Sequence, residues 1–345
     1  MMTRGKSFTA IVTPDKLELI NKENKELLEE FVEYLKSTDK SDGTIKGYIS
    51  DIQIFFVWLF ENAKNKSFVD INKRDVMRYQ NYLINTLQCS PNRTRRLKAS
   101  LSSLSNFIEN ILDDCYPDFR NIINKIPAPV KETVREKTVL EDDEVQALLD
   151  FLVSKKQYQK ACILALAWAS GSRKSELLRF KVDYFKDENI IYGSLYKTPE
   201  KIKTKGRGKM GKLLHKYVLI NKFKPYLDLW LKQREELGLD FEYLFICKDA
   251  KGNYKEMTDV APLDRYAEQF TRFLNKPFYF HCMRHNFTTQ LSKSGIPHHV
   301  IKEIVGWSSL DMVQLYDDQT VDDKIGDFFT QDGIKEQEQK RLSDL

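Results

Sequence analysis

Ala169-Ser170-Gly171-Ser172-Arg173-Lys174-Ser175-Glu176-Leu177 is the stretch on which the reading of this chain turns. An apolar helix, expected over about 156–169, runs into it and stops at a turn containing Gly171, a residue suited to the left-handed end of a helix. Arg173 then opens a second helix, expected over 173–180, and Glu176 follows three residues later. At that spacing the carboxylate can hold the guanidinium on the same helix face. Taken alone, the pair reads more readily as a surface ion pair.

Further along stand four more segments. Lys201-Ile202-Lys203-Thr204-Lys205-Gly206-Arg207-Gly208-Lys209-Met210-Gly211-Lys212 sets three glycines in a run of cations ahead of a strand. It reads as a β-hairpin tip able to enter a DNA groove and present a lysine to a phosphate. His281-Cys282-Met283-Arg284-His285 puts His281 and Arg284 at i and i+3 of a helix. Those side chains point the same way and can share one anionic group, with two parallel hydrogen bonds from the arginine. In Val305-Gly306-Trp307-Ser308-Ser309, Gly306 fits a helix C-terminus and Ser308 the next N-cap. Trp307 is either core or the wall of a site, with its indole N–H as a donor. Gln314-Leu315-Tyr316-Asp317-Asp318 places Tyr316 nine residues after Trp307, near the end of a short helix.

Ahead of these segments the sequence predicts a separate helical unit. Leu27, Leu28, Phe31, Val32 and Leu35 make one stripe, and Ile45, Tyr48, Ile49, Ile52, Phe55, Phe56, Leu59 and Phe60 a second. A third helix is expected over about 72–87, and Ser90-Pro91-Asn92 starts a fourth that carries Leu97, Leu101, Leu104, Ile108, Ile111 and Leu112. Short connections imply a compact bundle. The periodicity fades from Asn124, and Pro127, Pro129 and a charged run to Lys137 read as an extended linker. The domain pattern is therefore an extension (1–22), a helical domain (23–123), a linker (124–137), a second domain (138–333) and a charged tail (334–345). In the second domain helices are expected at 141–153, 221–236, 260–275, 282–294, 298–305 and 309–316, with strands near 189–192 and 217–220.

Composition narrows the class of function. The chain has 345 residues, 41% hydrophobic and 30% charged, with 55 basic against 50 acidic side chains. The net charge of +5 permits nucleic-acid binding without arguing for it. Five cysteines, with no CxxC pair, give neither a disulfide framework nor a zinc site and fit a reducing cytosol. Met1 to Thr9 does not read as a signal peptide, and no run approaches the roughly 18 apolar residues of a membrane span. The expectation is a cytoplasmic protein. No P-loop and no carboxylate cluster suited to a metal appears, so neither cofactor nor metal is expected.

In their order and spacing, the five segments resemble the tyrosine recombinases, or phage integrases. Within that family the chain looks closest to the two-domain, Xer- or Cre-like enzymes. The resemblance implies a mainly α protein: a four-helix, SAM-like core-binding domain, then a mixed α+β catalytic domain with a small antiparallel sheet. It assigns the catalytic set to Arg173, Lys205, His281, Arg284, Trp307 and Tyr316, with Glu176 and His285 in support. Trp307 stands where many members carry His, which favours packing and one hydrogen bond over proton transfer. Lys203 is a rival to Lys205 as the hairpin acid. The implied reaction cuts and rejoins DNA through a 3′-phosphotyrosyl bond at Tyr316, the two arginines clamping the phosphate oxygens and the hairpin lysine protonating the leaving 5′ oxygen.

The implied partners are double-stranded DNA with inverted-repeat sites and further copies forming a homotetramer on two sites; an accessory DNA-bending protein is left open. A mobile element is the expected setting. Lys46, Arg93, Arg95, Arg96, Lys98, Lys203 and Arg207 are the expected DNA contacts, and a tail helix over 321–329 is expected to pack on a neighbouring protomer. Two other readings remain: a DNA-binding regulator without catalysis, and a type IB topoisomerase-like enzyme that relaxes DNA.

Overall fold

The computed structural model describes residues 11–131, 138–206 and 208–316, with two short strands at 329–330 and 333–334, and describes side chains as far as residue 313. The chain divides into two compact units, one made of residues 1–136 with 207–210 and the other of residues 137–206 with 211–345.

In the first unit a short helix, α1 (Pro14–Glu18), precedes the four expected ones: α2 (Lys22–Ser37), α3 (Asp42–Asn62), α4 (Lys73–Asn81) and α5 (Pro91–Ile111). Each of those four starts where a polar side chain satisfies a free backbone N–H. Asn21 accepts from Glu23 N, Ser41 from Thr44 N and Ser90 from Arg93 N. Asn72 and Asp75 form a reciprocal capping box. Pro91 takes the first position of α5, where its missing N–H costs nothing.

The apolar stripes meet in one core that includes Phe31, Ile52, Phe55, Leu59, Leu97, Leu104 and Ile108. Each fully buried side chain of this size contributes about 1.5–3 kcal/mol. After Asn81 the expected third helix widens into a π turn, Tyr82–Thr86. The first part of the expected linker is fastened to this unit. Lys98 Nζ donates to Ile126 O, Gln80 Nε2 to Pro127 O and Arg95 Nη1 to Pro129 O.

The second unit is built on α6 (Asp142–Ser154) and α7 (Tyr158–Ser170). Every residue of α7 from Ala161 to Ser170 is buried, so this helix shows no polar face and packs on neighbours all round. Next come α8 (Lys174–Leu177) and the strands β1 (Ile190–Ile191), β2 (Leu195–Lys197), β3 (Ile202–Thr204), β4 (Lys212–Leu214) and β5 (Tyr217–Leu219). These form a three-stranded antiparallel sheet in the order β1-β2-β5 and a separate β3–β4 hairpin. Helix α9 (Ile220–Glu236) covers α7, and a hairpin of β6 (Ile246–Lys248) and β7 (Tyr254–Glu256) follows.

The unit continues with α10 (Ala261–Leu274), α11 (Phe280–Lys293), α12 (His298–Val305) and α13 (Asp311–Tyr316). A small core of Phe287, Leu291, Ile301, Val305, Trp307 and Val313 binds the last three together. The architecture is mainly helical with small antiparallel sheets, as the sequence implies. The expected tail helix lies outside the described residues, apart from Phe329, which begins the strand β8 (Phe329–Thr330) paired with β9 (Gly333–Ile334).

Candidate active site

The turn between α7 and α8 is made by Gly171 at φ +56°, where an L side chain would be strained. A Cβ there would also lie 2.6 Å from the Phe287 ring. This tight turn delivers Arg173 to the N-cap of α8. Arg173 Nη1 donates to Glu176 Oε1 at 2.8 Å, and its backbone N donates to Oε2 at 3.1 Å.

Glu176 is fully buried, and its Oε2 lies 2.7 Å from Nζ of Lys216, itself only 1% exposed. Burial pushes the Glu176 carboxyl up, but the charges of Lys216, Arg173 and Arg284 win and hold it at about 2. Lys216 is lowered to about 8, first by burial and then by the two guanidinium groups, against the pull of Glu176.

Arg284 comes from α11 and is 0% exposed. Its Nη1 donates to Gly171 O and its Nη2 to Val305 O, both at 2.8 Å. Those carbonyls end α7 and α12, the latter capped by Gly306 in the left-handed region at φ +81°. One guanidinium thus bridges the electronegative ends of two helices. It also sits 5.1 Å from the Trp307 ring, in cation–π range.

His281, one turn earlier on α11, is half-buried, with its ring centroid 5.7 Å from that of His285. Burial, followed by the neighbouring His285, Arg284 and Arg173, lowers His281 to about 4. The imidazole is therefore neutral at neutral pH, able to accept a proton or a hydrogen bond. A cleft of about 780 Å³ opens beside Arg173 and His281, with Lys174, Tyr279 and Phe280 also on its wall.

The β3–β4 hairpin lies against α8. Lys203 pairs across it with Leu213 and faces outward, while Lys205 is exposed where the strand turns. Leu214 on the returning strand sits where a Cβ on Gly306 would be, 2.3 Å from that position. Arg207 lies outside the described residues. Tyr316 ends α13, which packs on α11 and α12; its side chain lies outside the described residues.

In the first unit Lys46, Arg95 and Arg96 are exposed, and Arg93 is partly so. Arg93 Nη1 and Arg96 Nε both donate to the buried carboxylate of Asp51, at 2.8 and 3.2 Å, and Ser100 Oγ adds a third bond at 2.9 Å. Lys98 departs from expectation. It is 5% exposed, and its ammonium is turned to Gln80 Oε1 and Ile126 O, so it ties the outgoing chain to the bundle rather than facing a ligand.

Sequence reasoning passed over Asp51 and Lys216. Lys216 stands just ahead of β5, two positions from buried Val218, and the period-two spacing of an extended chain was the available signal. Asp51 on α3 gave none, because its arginine partners lie more than forty positions away.

The Phage integrase family profile matches residues 138–322, and the Phage integrase N-terminal SAM-like domain profile matches residues 27–118. The chain belongs to the phage integrase family. It is a tyrosine recombinase, an enzyme that breaks and rejoins DNA. The SPbeta prophage-derived recombinase-like protein YomM of Bacillus subtilis is 34% identical over 251 residues, covering 72% of each chain. The TnP I resolvase of Bacillus thuringiensis is 24% identical over 294 residues, 84% of this chain and 94% of that one. Among solved structures, the Tn1549 transposon integrase (residues 82–397, in complex with transposon right end DNA) shares the fold with a TM-score of 0.61 at 17% identity. That match covers 88% of this chain and 98% of the integrase.

Proposed function

We propose that this recombinase is site-specific and cuts each DNA strand by attack of Tyr316 on a backbone phosphate, leaving a 3′-phosphotyrosyl bond. The phenol O–P bond forms as the P–O5′ bond breaks. Arg173 and Arg284 meet the non-bridging oxygens, where charge grows in the transition state; one such donor is worth about a hundredfold or more in rate. Lys205, with Lys203 as its rival, gives a proton to the leaving 5′ oxygen. His281 is held neutral and is the pocket's candidate to take the phenolic proton. Trp307 packs against the clamp, and Glu176 and His285 support it. A 5′ hydroxyl from a second duplex then reverses the chemistry.

The observation that carries this reading is the gathering of Arg173, Arg284 and a neutral His281 around one cationic centre, from segments more than a hundred residues apart. The first domain (23–123) supplies grip through Lys46, Arg93, Arg95 and Arg96, the linker spans 124–137, and the catalytic domain spans 138–333, with Lys203 and Arg207 on its hairpin. The substrate is double-stranded DNA with inverted-repeat sites, bound by four copies on two sites. The prophage and transposon relatives support a role in moving a mobile element.

The test incubates the full chain with nicked duplexes carrying a randomised central region, captures protein–DNA adducts under denaturing conditions and sequences them. Wild type is expected to form adducts at a recurring site, and Tyr316→Phe to bind that site without forming them. Binding with no adduct from wild type refutes the enzyme in favour of a regulator. Relaxation of supercoiled DNA with no exchange between two captured sites refutes the recombinase in favour of a topoisomerase-like enzyme.

A further inference from the structure

We propose that Lys216 is a positioning residue of the phosphate clamp: its buried ammonium fixes the Glu176 carboxylate, which in turn orients Arg173. This rests on the reading of Arg173 as a phosphate contact.

Three observations support the assignment. A lysine and a glutamate, 1% and 0% exposed, face each other at 2.7 Å. Burying such a pair gives no reliable gain in stability over an apolar pair, so its presence asks for another purpose. Secondly, the carboxylate is used at both ends: Oε1 holds Arg173 Nη1, while Oε2 takes Arg173 N and Lys216 Nζ. With Oε2 fixed, the carboxylate plane cannot turn, and the direction of the arginine fork is set.

Thirdly, the sheet locates Lys216. Thr198 N donates to Lys216 O and Lys216 N donates to Thr198 Oγ1, both at 3.0 Å, next to the β2–β5 pair Lys197–Tyr217. Position thus passes from the sheet to Lys216, to Glu176, to Arg173. The lysine also restores charge. Glu176 alone would neutralise Arg173, and the added ammonium returns the cluster to net positive, as an anionic substrate requires.

The test uses the full chain and a duplex captured as above, with the scissile linkage either a normal phosphate or a methylphosphonate, which lacks the charged non-bridging oxygen. Lys216→Gln is expected to bind the duplex normally but to form adduct roughly tenfold or more slowly on phosphate, less than the loss of a direct donor. It should lose little on methylphosphonate, where no charge awaits Arg173. Lys216→Arg should recover most of the rate. The double variant Glu176→Gln/Lys216→Gln removes both buried charges, so it guards against simple misfolding, and it should show the same linkage-dependent defect.

A wild-type rate in the double variant, or an equal loss on both linkages, overturns the proposal. Absence of any adduct from wild type overturns the underlying reading of the site, and the proposal with it.

Discussion

Arg284→Lys keeps the positive charge and should still weaken the second unit. The guanidinium spans two buried carbonyls, Gly171 O and Val305 O, at 2.8 Å each. A single ammonium on an unforked stem cannot reproduce that bridge. Leaving one buried acceptor unmet costs about 1–3 kcal/mol, and loss of the contact with Trp307 adds about 0.5–2 kcal/mol. The sum is about 1.5–5 kcal/mol. With a urea slope of about 2–3 kcal/mol per molar, the unfolding midpoint should fall by about 0.5–2.5 M. Tryptophan fluorescence is a suitable probe, because Trp168, Trp230 and Trp307 of the four tryptophans belong to this unit. Adduct formation by the same variant should fall about a hundredfold or more. An unchanged midpoint together with lost cleavage would refute the structural half of the argument and leave the arginine a purely chemical group.

Acid should loosen the site in two stages. His281 is lowered to about 4 from 6.5, so the unfolded chain takes up its proton first and stability falls as pH drops from 6.5 to 4. Glu176 is lowered to about 2 from 4.5, and its contribution, about 3 kcal/mol as an order of magnitude, is present above pH 4.5 and lost toward pH 2. Urea midpoints against pH should lose the upper stage in His281→Gln; an identical profile in that variant would contradict the assignment. For the first unit, Asp51→Ala should release Arg93 and Arg96 from their common anchor. DNA affinity should fall several-fold while the dependence on salt keeps its slope, since the number of cations is unchanged. Unchanged or tighter binding in a filter or gel assay would count against the anchor.

The fold was legible wherever a helix carried both a stripe and a signal at its start. Ser90 with Pro91 is the example, and the helix following it begins at Pro91 as expected. Strand β2 and the β6–β7 pair escaped because three residues hold barely one period of alternation. The π turn after Asn81 escaped for another reason: the apolar spacing that predicts a helix to Leu87 fits a widened turn equally well. In the site, order and spacing pointed to Arg173, His281 and Arg284. The i, i+3 spacing already paired Arg173 with Glu176, but nothing local revealed that Arg284 leans on two carbonyls. The lysines are the plainest case. Lys46, Lys98 and Lys216 look alike in sequence, and only tertiary partners make the first exposed, the second a tether and the third a buried ion.

The contrast between the two arginines has an electrical consequence. Carbonyl dipoles steady Arg284 without cancelling its formal charge, whereas Glu176 cancels one cation among Arg173 and Lys216. Counting Arg173, Arg284, Lys216 and Glu176, three cations and one anion leave this part of the cluster at +2. A phosphodiester carries −1, and phenoxide attack would briefly raise that to −2. The groups around the phosphate thus carry more positive charge than a resting phosphodiester cancels, and the surplus would meet the charge that builds on its oxygens during attack.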